Sequence, residues 1–138
     1  MRFVKISELL QFIRDNDCYN YYSVFGNSYI RNYLWQCVHK KNFWYSFNNG
    51  QELNGFIEWY RLPDYKYFSE VFIKQKNPMG VNNGRLLWVQ NIVFKKGKFS
   101  LPIFRKFLNF FDGISHVYGW KYKNKKFFVY ELRRIDNG

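Results

Sequence analysis

The stretch Arg85–Phe94, RLLWVQNIVF, constrains the fold more than any other part of the chain. In extended conformation Leu86, Trp88, Gln90, Ile92 and Phe94 share one face, and Leu87, Val89, Asn91 and Val93 share the other. Both faces are mainly apolar, so the strand needs cover on both sides, as a central strand of a layered sheet has. With 138 residues the chain has room for one such core. Sixteen Phe, twelve Tyr and five Trp supply it largely with rings.

The remaining elements follow from period and punctuation. Residues 2–5 fit a short first strand, and Ser7 fits an N-cap for a helix over 8–14. Behind Ser28, Ile30, Tyr33, Leu34, Cys37 and Val38 recur at i, i+3, i+4, i+7 and i+8, one face of a second helix. Phe43–Phe47 and Leu53–Leu62 read as a hairpin about Asn48-Asn49-Gly50, with Gly55 marking a bulge. Pro63-Asp64 opens a segment with Phe68, Val71 and Phe72 at helical spacing, followed by loop over 77–80 and 82–84. After a basic turn, Lys95–Lys98, Ser100 caps a helix with Pro102 in its first turn. Ile103, Phe104, Phe107, Leu108 and Phe111 form its apolar face, and Asp112-Gly113 ends it. Strands over 115–122 and 127–134 close the chain, joined at Lys123–Lys126. The expectation is a single α+β domain over residues 1–138, a mixed, mostly antiparallel sheet of about six strands flanked by three to four helices.

Twenty-two Lys+Arg against ten Asp+Glu leave a formal charge of +12, and 95–138 alone carries 11 basic and 3 acidic residues. Such an excess attracts polyanions: nucleic acid, the phosphates of a cofactor such as coenzyme A, or the acidic surface of a host protein. Alanine and threonine are absent while Lys, Asn, Phe and Tyr abound, a composition expected from AT-rich codons in a low-GC bacterium or its phage. Two cysteines, Cys18 and Cys37, are too few for a disulfide framework. Met1–Lys5 lacks the apolar run of a signal peptide, and no segment approaches the roughly 18 apolar residues of a membrane span. The expected location is cytoplasmic, that of the host if phage encoded, with no membrane partner. Oligomeric state is not readable from the chain.

The order β-α-α-β-β-(α)-β-α-β-β, with strand Leu86–Phe94 running into a turn and an amphipathic helix, looks like that of the GNAT N-acetyltransferase superfamily. Gly55-Phe56-Ile57-Glu58-Trp59, with Leu87-Trp88-Val89-Gln90-Asn91-Ile92-Val93, further resembles the RTX-toxin-activating lysine acyltransferases, which share that fold. The likeness covers residues 30–134 as an order of elements and only these two stretches at residue level. It implies an acyl-CoA whose phosphates sit over Lys95, Lys96, Gly97, Lys98 and Ser100, with the thioester beside 88–93. Strands 85–94 and 115–122 parting there would receive the pantetheine arm, whereas a closed sheet filled by Trp88 or Trp120 would leave it no room. It also implies that Glu58, or a water, takes the proton of an amine acceptor. Departures are plain. The GNAT turn carries Gln/Arg-x-x-Gly-x-Gly/Ala, whose amides at a helix N-terminus hold pyrophosphate; this turn has Gly97 alone among lysines. Where the toxin-activating enzymes place an acid, this chain has Gln90, which hydrogen-bonds but does not titrate, and their catalytic His has no counterpart. An inactive or repurposed relative is therefore an equal expectation.

Each constellation also has a plain structural reading. The lysines of 95–98 serve equally as a solvated turn. In the terminal hairpin, Lys121, Lys123, Lys125, Lys126, Arg133 and Arg134 interleave with Tyr118, Trp120, Tyr122, Phe128 and Tyr130. That pattern fits a nucleic-acid surface, or an ordinary sheet with one apolar and one charged face. Glu58, mid-strand, fits a buried general base with a raised pKa or an exposed, paired carboxylate. Cys37 and His39 at i and i+2 diverge on a helix, so no metal site is expected.

Overall fold

The computed structural model describes residues 4–17, 25–64, 84–124 and 126–134. They form helices α1 (Ile6–Asn16), α2 (Asn27–Lys40) and α3 (Leu101–Leu108), and strands β1 (Phe43–Phe47), β2 (Leu53–Leu62), β3 (Leu86–Phe94), β4 (His116–Lys123) and β5 (Lys126–Arg134). The strands make one five-stranded sheet in the order β1-β2-β3-β4-β5. β1–β2 and β4–β5 are antiparallel and β3–β4 is parallel, so the sheet is mixed. Five strands stand where six were expected. Val4 and Lys5 join no strand, and the start of that segment lies outside the described residues. So does the helical spacing at Phe68, Val71 and Phe72, with the loop that follows it to 83.

The chain divides into two compact units, residues 1–58 with 92–106, and 59–91 with 107–138. The first is organised around Leu9, Leu10, Phe12 and Ile13 of α1, Ile30 and Leu34 of α2, Leu53 and Phe56 of β2, and Val93 of β3. Of the stripe expected on α2, Ile30, Leu34 and Cys37 are buried and Tyr33 partly so, whereas Val38, at its margin, is exposed. Neither serine caps its helix. α1 starts after Lys5, whose carbonyl accepts from Glu8 and Leu9, and α2 starts after Gly26; neither has a side-chain cap. Each helix thus begins one residue before its serine, at Ile6 and at Asn27.

The bulge expected at Gly55 lies beside it. Ser46 pairs with Gly55 and Phe47 with Leu53, leaving Asn54 as the extra residue. Gly55 itself answers to close packing, since a Cβ there would lie 2.9 Å from Ile103 Cγ2 of α3. In the hairpin turn the Asn48 side chain accepts from the Gly50 and Glu52 amides, and Gln51 takes the left-handed conformation at φ 64°.

The second unit packs Tyr60 and Leu62 of β2 and Leu86 and Trp88 of β3 together, with Tyr118 and Trp120 of β4 against them. Trp88 is fully buried. β3 is anchored where it begins. A Cβ on Gly84 would fall 2.0 Å from the Leu62 carbonyl carbon, so only glycine permits this approach. Arg61 holds the same corner, donating from Nε to the Gly84 carbonyl at 3.0 Å and from Nη2 to the Asp112 carbonyl at 2.9 Å.

Candidate functional site

The junction between β3 and α3 is a 3₁₀ turn, Lys95–Gly97, in which Lys96 (φ 66°) and Gly97 (φ 65°) both adopt left-handed conformations. A lysine there costs about 1 kcal/mol. The Asn16 side chain offsets this by accepting from the Lys96 amide at 2.6 Å. Lys95 Nζ meets Glu52 Oε2 at 2.8 Å, and that partner holds the Glu52 carboxyl below the ordinary glutamate range. Ser100 caps α3 as expected: its Oγ accepts from the Ile103 amide at 3.4 Å and its carbonyl from Phe104 at 3.0 Å. Pro102 brings no amide. Two of the junction's amides are thus engaged by side chains, and what it offers an anion is chiefly the exposed charge of Lys96 and Lys98.

Glu58 and Gln90 belong to different units, and each is engaged within its own. Glu58 is 4% exposed and accepts a hydrogen bond from the Tyr33 hydroxyl of α2. It is therefore a buried carboxylate rather than an exposed strand residue. A buried carboxylate needs such a donor, because an unpaired one loses its hydration without replacement. Gln90 is buried on β3, and its Oε1 accepts from the Trp88 indole at 2.6 Å. That bond fixes the amide's orientation and turns its Nε2 hydrogens away from the indole, the only donor that glutamine retains for a ligand.

The distinctive geometry lies beside Gln90. β3 and β4 pair over only three residues, Leu86 with His116, Leu87 with Val117, and Trp88 with Tyr118. Within the second unit β3 runs on to Asn91 and β4 to Lys123, yet the ladder between them does not continue. Two parallel strands thus meet at one end and part, forming a fork. Opposite the parting, Val117 pairs with Arg133 but Tyr118 with Glu131, so Leu132 is an extra residue in β5. A bulge bends and twists its ladder, and this one falls at the residue where the β3–β4 pairing ends. Gly119 lets Leu132 lie over β4, since a Cβ would stand 2.9 Å from Leu132 Cδ1. Just past the last pair, the Trp120 indole donates to the main-chain carbonyl of Gln90 at 2.6 Å.

The fork's own unit also holds a pair that residue types alone do not reveal. His116 Nδ1 lies 2.8 Å from Glu131 Oε1, with Tyr118 stacked on the imidazole at 5.9 Å. A carboxylate beside Nδ1 orients the ring. The hairpin register carries the signal: Tyr118 faces Glu131, and His116 is its same-face neighbour two residues along.

Of the hairpin's basic residues, Arg133 is exposed; Lys125 lies outside the described residues, as do the side chains of Lys121, Lys123, Lys126 and Arg134. β5 is not an ordinary two-faced strand. Val129, Tyr130 and Leu132 are exposed along with Glu131 and Arg133, so both its faces meet solvent. Among the described residues, no group of three or more His, Cys, Asp or Glu is placed to hold a metal, and no helix is long and apolar enough to cross a membrane.

No protein-family model matches the chain, and no curated protein matches it. Solved structures do. One is the GNAT-like decarboxylase GphF in complex with isobutyryl-CoA, with a TM-score of 0.53 and 10% sequence identity, covering 88% of this chain and 65% of that one. Another is the loading GNATL domain of CurA from Lyngbya majuscula, with a TM-score of 0.52 and 13% identity, covering 88% of this chain and 63% of that one. The chain spans just under two thirds of the length of each. Identity this low speaks to the fold alone. On that ground, and on a mixed five-stranded sheet whose parallel pair parts into a fork, the fold is GNAT-like.

Proposed function

We propose that this protein binds an acyl-CoA thioester at the β3–β4 fork, as a GNAT-like acyltransferase or a catalytically silent relative. The observation that carries the reading is the parting of two parallel strands after three pairs, which leaves a β-strand edge able to receive an extended, amide-bearing chain. That GphF holds isobutyryl-CoA on a similar fold supports the choice of ligand. In an active enzyme the chemistry is positioning and polarisation. The Gln90 Nε2, oriented through Trp88, donates toward a thioester carbonyl, where a well-placed donor is worth most as negative charge develops. For removal of an amine proton two candidates stand, Glu58, and His116 oriented by Glu131 within the fork's unit. The finer likeness to toxin-activating acyltransferases belongs to this proposal and names a lysine amine as acceptor. The anion-site proposal for Lys95, Lys96, Gly97, Lys98 and Ser100 now rests on side-chain charge more than on amides.

Thermal unfolding with acetyl-CoA and isobutyryl-CoA at low millimolar concentration tests the binding. A ligand at a hundred times its Kd stabilises the native state by about 2.7 kcal/mol, a shift of several degrees. No shift with either thioester ends the reading. If acyl transfer is then detected, comparing Glu58→Gln with His116→Asn decides the base.

A second reading has its own observation. β5 exposes Val129, Tyr130 and Leu132 beside Arg133, a surface fit for a non-enzymatic binder of nucleic acid or of a host protein, as a phage-encoded inhibitor would be. Fluorescence titration with DNA and RNA at two salt concentrations tests the nucleic-acid form, which requires affinity to fall steeply as salt rises.

A further inference from the structure

We infer that Trp120 sets the affinity of the fork, its indole N–H standing in for an amide N–H of the bound chain and its ring filling the gap the chain must enter. The inference rests on the acyl-CoA reading above and adds to it the residue that competes with the ligand. In a continuous ladder, strands lie about 4.8 Å apart and each carbonyl finds a main-chain donor on its neighbour. At Gln90 the donor comes instead from a side chain of β4, the Trp120 indole at 2.6 Å, two residues beyond the last strand pair.

Trp120 does two things there. It satisfies a main-chain acceptor that would otherwise need water or a ligand. It also closes the space left when the ladder ends, its ring resting on the cluster of Tyr60, Leu62, Leu86 and Trp88. The ring is only partly buried, unlike the fully buried Trp88, so it can leave without dismantling the core. A ligand that replaces the indole must bring its own N–H to the Gln90 carbonyl, as an amide of pantetheine does and an ester does not. Because the protein binds its own substitute, apparent affinity is reduced by the fraction of molecules whose fork is occupied by the indole.

The experiment measures Kd for acetyl-CoA by calorimetry in the full chain, wild type against Trp120→Phe and Trp120→Ala, with intrinsic fluorescence recorded alongside. Trp120→Ala, with neither ring nor donor, is expected to bind about ten- to hundredfold tighter than wild type. Trp120→Phe, which keeps a ring and loses the donor, is expected to fall between them, and the emission change seen on saturating the wild type is expected to vanish in it. Should Trp120→Ala not fold, Trp120→Phe against wild type decides alone. Equal or weaker binding by the variants, with the wild type still binding, overturns the inference and leaves the acyl-CoA reading intact, Trp120 being then a wall of the site. No binding by any of the three removes that reading and this inference with it.

Discussion

The lysine-flanked junction and the β3–β4 fork are both places where main chain leaves regular pairing, and the molecule completes them in opposite ways. At the junction small polar side chains do the work: Asn16 on the Lys96 amide, Ser100 on Ile103, and Glu52 on Lys95. At the fork a carbonyl is completed by a large, partly buried ring. Compact caps leave little for a ligand to displace, whereas a ring occupying a gap marks volume that something else can fill. Charge drew attention to the junction in the sequence, yet charge reports attraction at a distance and not vacant hydrogen-bonding capacity.

Breaking the anchor of the fork has the largest expected effect. Gly84→Ala puts a methyl into the Leu62–Pro63 backbone and should cost about 3 kcal/mol or more by urea unfolding. A loss under about 1 kcal/mol would show that this corner is not what holds β3. Next comes Trp88→Phe, which strips Gln90 Oε1 of its buried donor and removes core volume. About 2 kcal/mol of stability should go, and acetyl-CoA binding should weaken as the Gln90 amide loses its orientation.

Asn16→Ala sharpens the comparison from the other side. It should cost about 1 kcal/mol while leaving the Lys96 amide available. If sulfate then stabilises the variant and not the wild type, the junction is an anion site masked by its cap; if neither responds, it is a solvated turn. The smallest effect is electrostatic. Lys95 depresses the Glu52 pKa in the folded state, so the pair's contribution is present above the unfolded carboxyl pKa and is lost as pH falls through the folded value. The melting temperatures of wild type and Glu52→Gln should therefore differ slightly at neutral pH and converge in acid, with added salt shrinking the difference because both groups are exposed.

Much of the architecture was legible because it is local. β3 is buried on both faces as its apolar run requires, and the bounds of β1 and β2 are those read on either side of the Asn48-Asn49-Gly50 turn. Ser100 caps α3, but Ser7 and Ser28 do not cap theirs, each being the second residue of a helix that starts one residue earlier. Glu58 stood out as a mid-strand carboxylate, while its burial depends on Tyr33, 25 residues away on another element. The fork had no residue-type signal at all. Its traces are Gly119 and the unpaired count at Leu132, and both gain meaning only once the β4–β5 register is known. The His116–Glu131 pair was hidden for the same reason.

The indole N–H resonance of Trp120, assigned by its loss in Trp120→Phe among five tryptophans, reports most directly on whether the fork is a ligand site. On titration of the ¹⁵N-labelled protein with acetyl-CoA, that resonance and the amides of Val89, Gln90 and Gly119 should move together and saturate at one Kd. Saturating ligand that leaves them unmoved while shifting amides elsewhere would contradict the account.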